Sequence, residues 1–143
     1  MKFLKNVVPS QSQLLELYKC VGWTSYTKDP EQLLQMVQNS QLVWAAFDSQ
    51  NTTDDQLVGL IRVVGDGVTI AYIQDLLVLP TYQKNGIGQQ LLTKTLTDLS
   101  KIRQLYISTD TSKSNQYVID FYMKNGFQPM NEWGCITLAR FLF

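Results

Sequence analysis

The stretch from Gln41 to Leu79 constrains the fold more than any other part of the chain. It is an almost continuous run of Val, Leu, Ile, Ala and aromatic residues, broken by the polar segment Ser49 to Asp55 and again by Asp66-Gly67. β-Branched and aromatic residues suit a pleated, half-buried surface, and Asp-Gly between two such runs signals a tight turn. Gln41 to Asp48, Gln56 to Val64 and Val68 to Leu79 therefore read as three consecutive antiparallel strands. Pro80, which has no N–H to give to a ladder, ends the last of them.

Around this core the apolar period changes. After a first strand, Lys2 to Val8, the residues Leu14, Leu15, Leu17, Tyr18 and Val21 recur at helical spacing, with Ser10 as N-cap. An aromatic loop, Gly22 to Thr27, leads to Asp29-Pro30-Glu31-Gln32, a capped helix start, and a second helix to about Asn39. Beyond Gly86-Ile87-Gly88, a third helix carries Leu91, Leu92, Leu96, Leu99 and Ile102 on one face. Leu105 to Thr109 reads as a fifth strand and Asn115 to Lys124 as a fourth helix, closed by a left-handed Asn125-Gly126 cap. Phe127 and Ile136 to Phe143 are expected to complete the sheet. Strands clustered early and alternating with helices later imply an α/β (α+β) chain of one domain, residues 1–143, whose mixed sheet has helices on both faces.

Composition narrows the chemistry. Twelve basic and twelve acidic residues cancel without forming runs, so no footprint for nucleic acid or an anionic membrane surface is visible. No sustained apolar segment opens the chain, and none approaches the roughly eighteen residues of a membrane span, so a cytoplasmic protein is expected. Cys20 and Cys135, without companions at metal-ligand spacing, read as buried free thiols. The chain has no histidine, which removes Ser-His-Asp and Cys-His nucleophiles, imidazole metal sites and histidine as general base. What chemistry there is falls to carboxylates, Tyr, Ser/Thr, Cys, Lys, backbone groups or a cofactor, and no metal is expected.

The segment Gln83-Lys84-Asn85-Gly86-Ile87-Gly88 joins a strand to a helix. Its glycines permit close backbone approach, and N–H groups converging at a helix N-terminus cradle phosphate. Three phosphate-binding patterns compete. The Walker loop fails, because no Gly-Lys-Ser/Thr closes it. The dinucleotide fingerprint fails, because Gly86-Ile87-Gly88-Gln89-Gln90-Leu91 ends in leucine and Pro80 to Asn85 intervene after the strand.

The third pattern fits. Val78 two residues before Pro80, then Gln83-x-x-Gly86-x-Gly88 opening an amphipathic helix, resembles the acyl-CoA pyrophosphate loop of the GNAT-superfamily N-acetyltransferases. Downstream, Asn115, then Tyr122 seven residues on, then Gly126-Phe127, resembles the second cofactor motif of that family. The resemblance is strongest from about Leu57 to Phe127, while about the first fifty residues match only in strand-helix-helix order.

The resemblance implies a GNAT fold: a mostly antiparallel sheet of about six to seven strands, splayed in the middle, with about four helices. It implies an N-acetyltransferase that moves an acetyl group from acetyl-CoA to a primary amine by direct attack, with a small-molecule acceptor and a monomeric or homodimeric chain. Leu76, Leu77 and Val78 would meet the pantetheine arm, Leu76 and Val78 through free backbone groups, and Gln83, Lys84, Asn85, Gly86, Ile87, Gly88 and Gln89 the diphosphate, with Asn115 and Tyr122 completing the cofactor set. Tyr122 matches the thiolate-protonating tyrosine. Asp75 and Asp110 are the general-base candidates, with Glu132 third, and Trp23 and Tyr26 stand where relatives contact the acceptor. A non-catalytic acyl-CoA-binding module and a nucleotide-binding α/β domain are the rival readings.

Overall fold

The computed structural model describes residues 1–49 and 54–142, which gather into two compact units, Met1–Ile107 and Ser108–Phe143. Most of the expected hairpin connection Ser49 to Asp55, and Phe143 at the end of the last expected strand, lie outside the described residues.

The first unit is a five-stranded sheet in the order β1-β2-β3-β4-β5, formed by Lys2–Lys5, Leu42–Asp48, Gln56–Gly65, Ile70–Val78 and Gln104–Ile107. The first four strands pair antiparallel with their neighbours, and β5 joins β4 in parallel. The three strands expected between Gln41 and Leu79 are β2, β3 and β4. At the β3–β4 turn, Asp66 Oδ1 accepts from the N–H groups of Val68, Thr69 and Ile70, and Oδ2 from the Thr69 hydroxyl. The Thr69 hydroxyl, then these amides, hold the Asp66 carboxyl well below the usual carboxylate range.

Helices cover both faces. Ser10 and Gln13 form a reciprocal capping box at the start of α1 (Gln11–Cys20), and Asp29 caps α3 (Pro30–Gln38), with Pro30 in its first turn. Between them the sequence reading missed a four-residue helix, α2 (Thr24–Thr27). Leu14, Leu17 and Tyr18 of α1 are fully buried. On the opposite face, α4 (Ile87–Asp98) lies close over β3 at Gly59, where an added Cβ would stand 3.1 Å from Leu91 and 3.2 Å from Ile87. Even a methyl group there would oblige the Leu91 and Ile87 side chains to give way by a few tenths of an ångström. Strand β3 is thus buried on both sides, with Val58, Leu60, Ile61 and Val63 at the centre of the core.

The second unit contains α5 (Gln116–Lys124), and Gly126, at φ 93°, supplies the expected left-handed residue after it. Here two expectations are corrected. Among the described residues from 127 to 142 there is no strand, so the sheet has five strands rather than six to seven. Ile136, Leu138 and Leu142 are 80%, 86% and 92% exposed. β-Propensity expresses itself only against a partner edge, and these residues have the propensity without the pairing. Cys20 and Cys135 are free but exposed rather than buried, since Cys20 falls outside the Leu14, Leu17, Tyr18 stripe of α1.

Candidate functional site

Two features of the first unit bear on chemistry. The first is where β4 and β5 part. Their ladder runs only from Ile70↔Gln104 to Ile73↔Ile107, whereas β3 stays paired with β4 to Val78. The Leu79 N–H bonds Val58 O on β3, so alternation turns the backbone of Leu77 toward β3 and that of Leu76 and Val78 toward the open edge. The opening expected here comes from β5 ending, while burial along β4 keeps alternating through Asp75 and Leu77. Of the expected backbone groups, the Val78 carbonyl is not free: Gln83 Nε2 donates to it at 3.0 Å. Gln83 therefore ties the loop to the strand end. Leu77 is buried, with its backbone spent on β3.

The loop follows directly. A 3₁₀ turn, Pro80–Tyr82, leads to Lys84 at φ 64° and Gly86 at φ 78°, two left-handed residues separated only by Asn85. A non-glycine residue in that region costs on the order of 1–3 kcal/mol, and such strain collects at ligand sites. Gly86 is the N-cap of α4, and no side chain caps the helix. Its first-turn N–H groups have no intrahelical acceptor and carry the positive end of the helix dipole. A Cβ on Gly86 would meet nothing within 4 Å and one on Gly88 only Val78 Cγ2, at 3.8 Å, so the space beside these two Cα atoms is open. Ile87 is buried, while the Gln89 side chain donates to Thr93 Oγ1. A hollow beside the loop, about 290 Å³, is lined by Met1, Asp48, Tyr82, Asn85, Ile87 and Gln90. It presents the Asp48 carboxylate, which accepts from the Tyr82 hydroxyl, and an acid there suits an anion poorly.

The second feature is a buried ion pair. Arg62 Nε donates to Asp75 Oδ2 at 2.6 Å and the Tyr18 hydroxyl donates to the same oxygen at 2.7 Å. The side chains of Arg62 and Asp75 are 7% and 0% exposed, and Asp75 Oδ1 is buried with no hydrogen-bond partner. Burial and then the Asp75 carboxylate push the Tyr18 phenol far above the usual tyrosine range, so it stays a donor. Burial works against the Arg62 charge, but the Asp75 carboxylate outweighs it and raises the guanidinium further. Beside the pair lies a cavity of about 410 Å³ lined by Gly22 to Tyr26, Gln74 and Asp75. The structure thus brings together three residues singled out in the sequence, Trp23, Tyr26 and Asp75. It adds Tyr18, Arg62 and Gln74, which sequence reasoning missed. The available signal was a lone arginine and a lone aspartate, the only charged residues of two consecutive, largely apolar strands.

In the second unit, Tyr122 of α5 is 8% exposed, with the rings of Phe121 and Phe127 at 5.2 and 5.9 Å edge-to-face. Burial pushes its phenol up to about 12. Asn115 Nδ2 donates at 2.8 Å to both Thr109 Oγ1 and the Asp110 carbonyl, fixing the turn before α5. Asp110 Oδ1 accepts from the hydroxyl and the N–H of Ser112, and these bonds hold its carboxyl below the usual range. Such a carboxylate is well suited to capping a turn and less suited to taking a proton. Glu132 is exposed on a 3₁₀ turn, Met130–Trp133.

Known proteins share this architecture. Residues 9–127 match the acetyltransferase (GNAT) family. A GNAT-family acetyltransferase from Streptococcus pneumoniae TIGR4 superposes with a TM-score of 0.80 at 30% identity, over 99% of this chain and 97% of that one. An uncharacterized N-acetyltransferase of Porphyra purpurea is 29% identical over 130 residues, 87% of this chain and 71% of that protein. Serotonin N-acetyltransferase 2 of Oryza sativa subsp. japonica is 29% identical over 114 residues, 80% of this chain but only 54% of its own length.

Proposed function

The chain belongs to the GNAT acetyltransferase family and is an acyltransferase, and from that premise we propose that it carries an acetyl group from acetyl-CoA to the primary amine of a small molecule. The observation that carries the reading is the N-terminus of α4. Uncapped, entered through two left-handed residues and unobstructed beside the Cα atoms of Gly86 and Gly88, it is suited to a diphosphate, with Lys84 adding a positive charge. The outward backbone of Leu76 and the Val78 N–H suit an amide-bearing arm laid along β4.

Bound there, acetyl-CoA supplies an activated acyl carbon: the amine nitrogen bonds to it as the C–S bond breaks, the amine gives up its surplus proton, and sulfur leaves with the bonding pair to become a thiol. To Tyr122 this reading gives the donation of that sulfur's proton. With a pKa pushed up to about 12, its phenol is protonated at neutral pH and present as a hydrogen-bond donor to the sulfur. The same shift makes it a weaker acid that passes its proton on only as charge builds on the leaving thiolate. Asp75 is the carboxylate retained for the amine, because its Oδ1 has no protein donor although its Oδ2 is held by Arg62 and Tyr18.

Two measurements test this. CoA at about a hundredfold excess over its Kd is expected to stabilise the fold by about 2.7 kcal/mol, with NAD and ATP giving no comparable shift. Equal stabilisation by all three, or by none, would refute the assignment. Tyr122→Phe is expected to lower kcat by about tenfold or more while CoA affinity holds. Unchanged turnover would remove Tyr122 from its part.

A further inference from the structure

The buried Asp75 Oδ1 is the one carboxylate oxygen of the Arg62–Tyr18–Asp75 cluster that no protein donor satisfies. An unpaired anionic oxygen in a dry interior is costly, on the order of 1–3 kcal/mol or more, and such a group calls for a donor. Asp75 lines the 410 Å³ cavity but Oδ1 itself is sealed from it, so a donor in that cavity reaches this oxygen once a side chain of the wall turns aside.

The rest of the wall indicates what brings the donor. Tyr18, Trp23 and Tyr26 form a closed group of rings, with centroids 5.4 to 6.1 Å apart. Trp23 and Tyr26 stand at the cap and in the middle of α2 and are only partly buried, so they present ring surface to the cavity. Asp75 is the sole acid among the lining residues, and Arg62 already balances its charge. A wall with no net negative charge gives a polycation little to hold, whereas ring faces and one open acceptor suit a single amine attached to a planar apolar group. The volume falls at the small end of the roughly 300–1,000 Å³ of ligand sites.

Resting on the acyl-transfer reading above, we infer that this cavity is the acceptor site and takes a small monoamine bearing an aromatic group. Its nitrogen donates to Asp75 Oδ1 and its ring lies against Trp23 and Tyr26. Tyr18 and Arg62 are positioning residues that fix Asp75 through Oδ2, leaving Oδ1 for the ligand. Water does not reach Oδ1, so the amine enters by turning a side chain of the wall aside. Tyr26 is suited to give way, because its hydroxyl is held only by a 3.4 Å hydrogen bond from Gln74.

The test compares 2-phenylethylamine, n-butylamine, spermidine and a peptide with a free N-terminus by thiol release, with CoA binding measured separately by calorimetry. 2-Phenylethylamine is expected to exceed n-butylamine in kcat/KM by about tenfold or more. Trp23→Ala raises KM for 2-phenylethylamine about tenfold, more than it raises that for n-butylamine, while CoA affinity holds, and Trp23→Phe restores most of the loss. Tyr18→Phe, which removes a donor to Oδ2 without emptying the core, raises KM for both amines together. Activity confined to spermidine, an equal effect of Trp23→Ala on both amines, or wild-type KM values in Tyr18→Phe overturns this inference while CoA binding leaves the parent reading standing. Activity confined to the peptide overturns this inference together with the small-molecule acceptor of the parent reading. Failure to bind CoA brings down the parent reading and this inference with it.

Discussion

Replacing Arg62 with methionine is expected to destabilise the fold by about 3–5 kcal/mol, lowering the melting midpoint by roughly 10–20 °C. The loss is not the worth of the ion pair. It is the cost of leaving the Asp75 carboxylate, with a side chain 0% exposed, without its cation and with only the Tyr18 hydroxyl as donor. Taking a charge out of water costs several kcal/mol, and in the native chain the guanidinium at 2.6 Å offsets it. The triple variant Arg62→Met, Asp75→Leu, Tyr18→Phe removes all three polar partners at once and is expected to recover most of the stability while losing amine binding. Denaturant unfolding of both variants checks this. A single variant within about 0.5 kcal/mol of wild type, the range of an ordinary surface substitution, would show that Asp75 is not held as a buried anion.

Gly86→Val is expected to weaken CoA binding by tenfold or more with only a moderate fall in stability. The new side chain meets no overlap, since nothing lies within 4 Å of a Cβ there. The penalty is torsional: a β-branched residue at φ 78° costs on the order of 1–3 kcal/mol, and the loop relieves it by rotating the peptides that begin α4. Those peptides carry the amides assigned to the diphosphate. Gly86→Asn separates torsion from obstruction, because asparagine tolerates the left-handed region, and it is expected to keep nearly all of the affinity. If asparagine and valine weaken CoA binding equally in calorimetry, the space in front of Gly86 matters and its backbone angle does not.

The loop was legible in the sequence because its cause is local. Gly86 and Gly88 placed between Pro80 and an amphipathic run specify a turn into a helix whatever the rest of the chain does. The same holds for the Ser10 and Asp29 caps and the Asp66 turn. The Arg62–Asp75 pair was not legible, and the reason is one residue. Counting outward from the turn, Gly65 faces Ala71, Val64 faces Tyr72 and Val63 faces Ile73, which would set Arg62 against Gln74. A bulge skips Gln74 and sets Arg62 against Asp75 instead. Bulges leave little trace in composition, and a single-residue slip changes which side chain meets which. Tyr18 lay deeper still, since its place over Asp75 depends on how α1 docks, which no local pattern encodes. Ile136 to Leu142 failed in the opposite sense: their apolar character is plain, but a strand is made by two edges and the sequence displays only one.

Leu76 and Val78 turn peptide groups, not functional side chains, toward the gap between β4 and β5. Recognition made that way is indifferent to residue type so long as volume and pleat survive, whereas around Trp23 and Tyr26 the chemistry of each ring matters. On the acceptor reading proposed above, substitutions in α2 would change the amine that is taken while leaving the peptide groups of Leu76 and Val78 as they are.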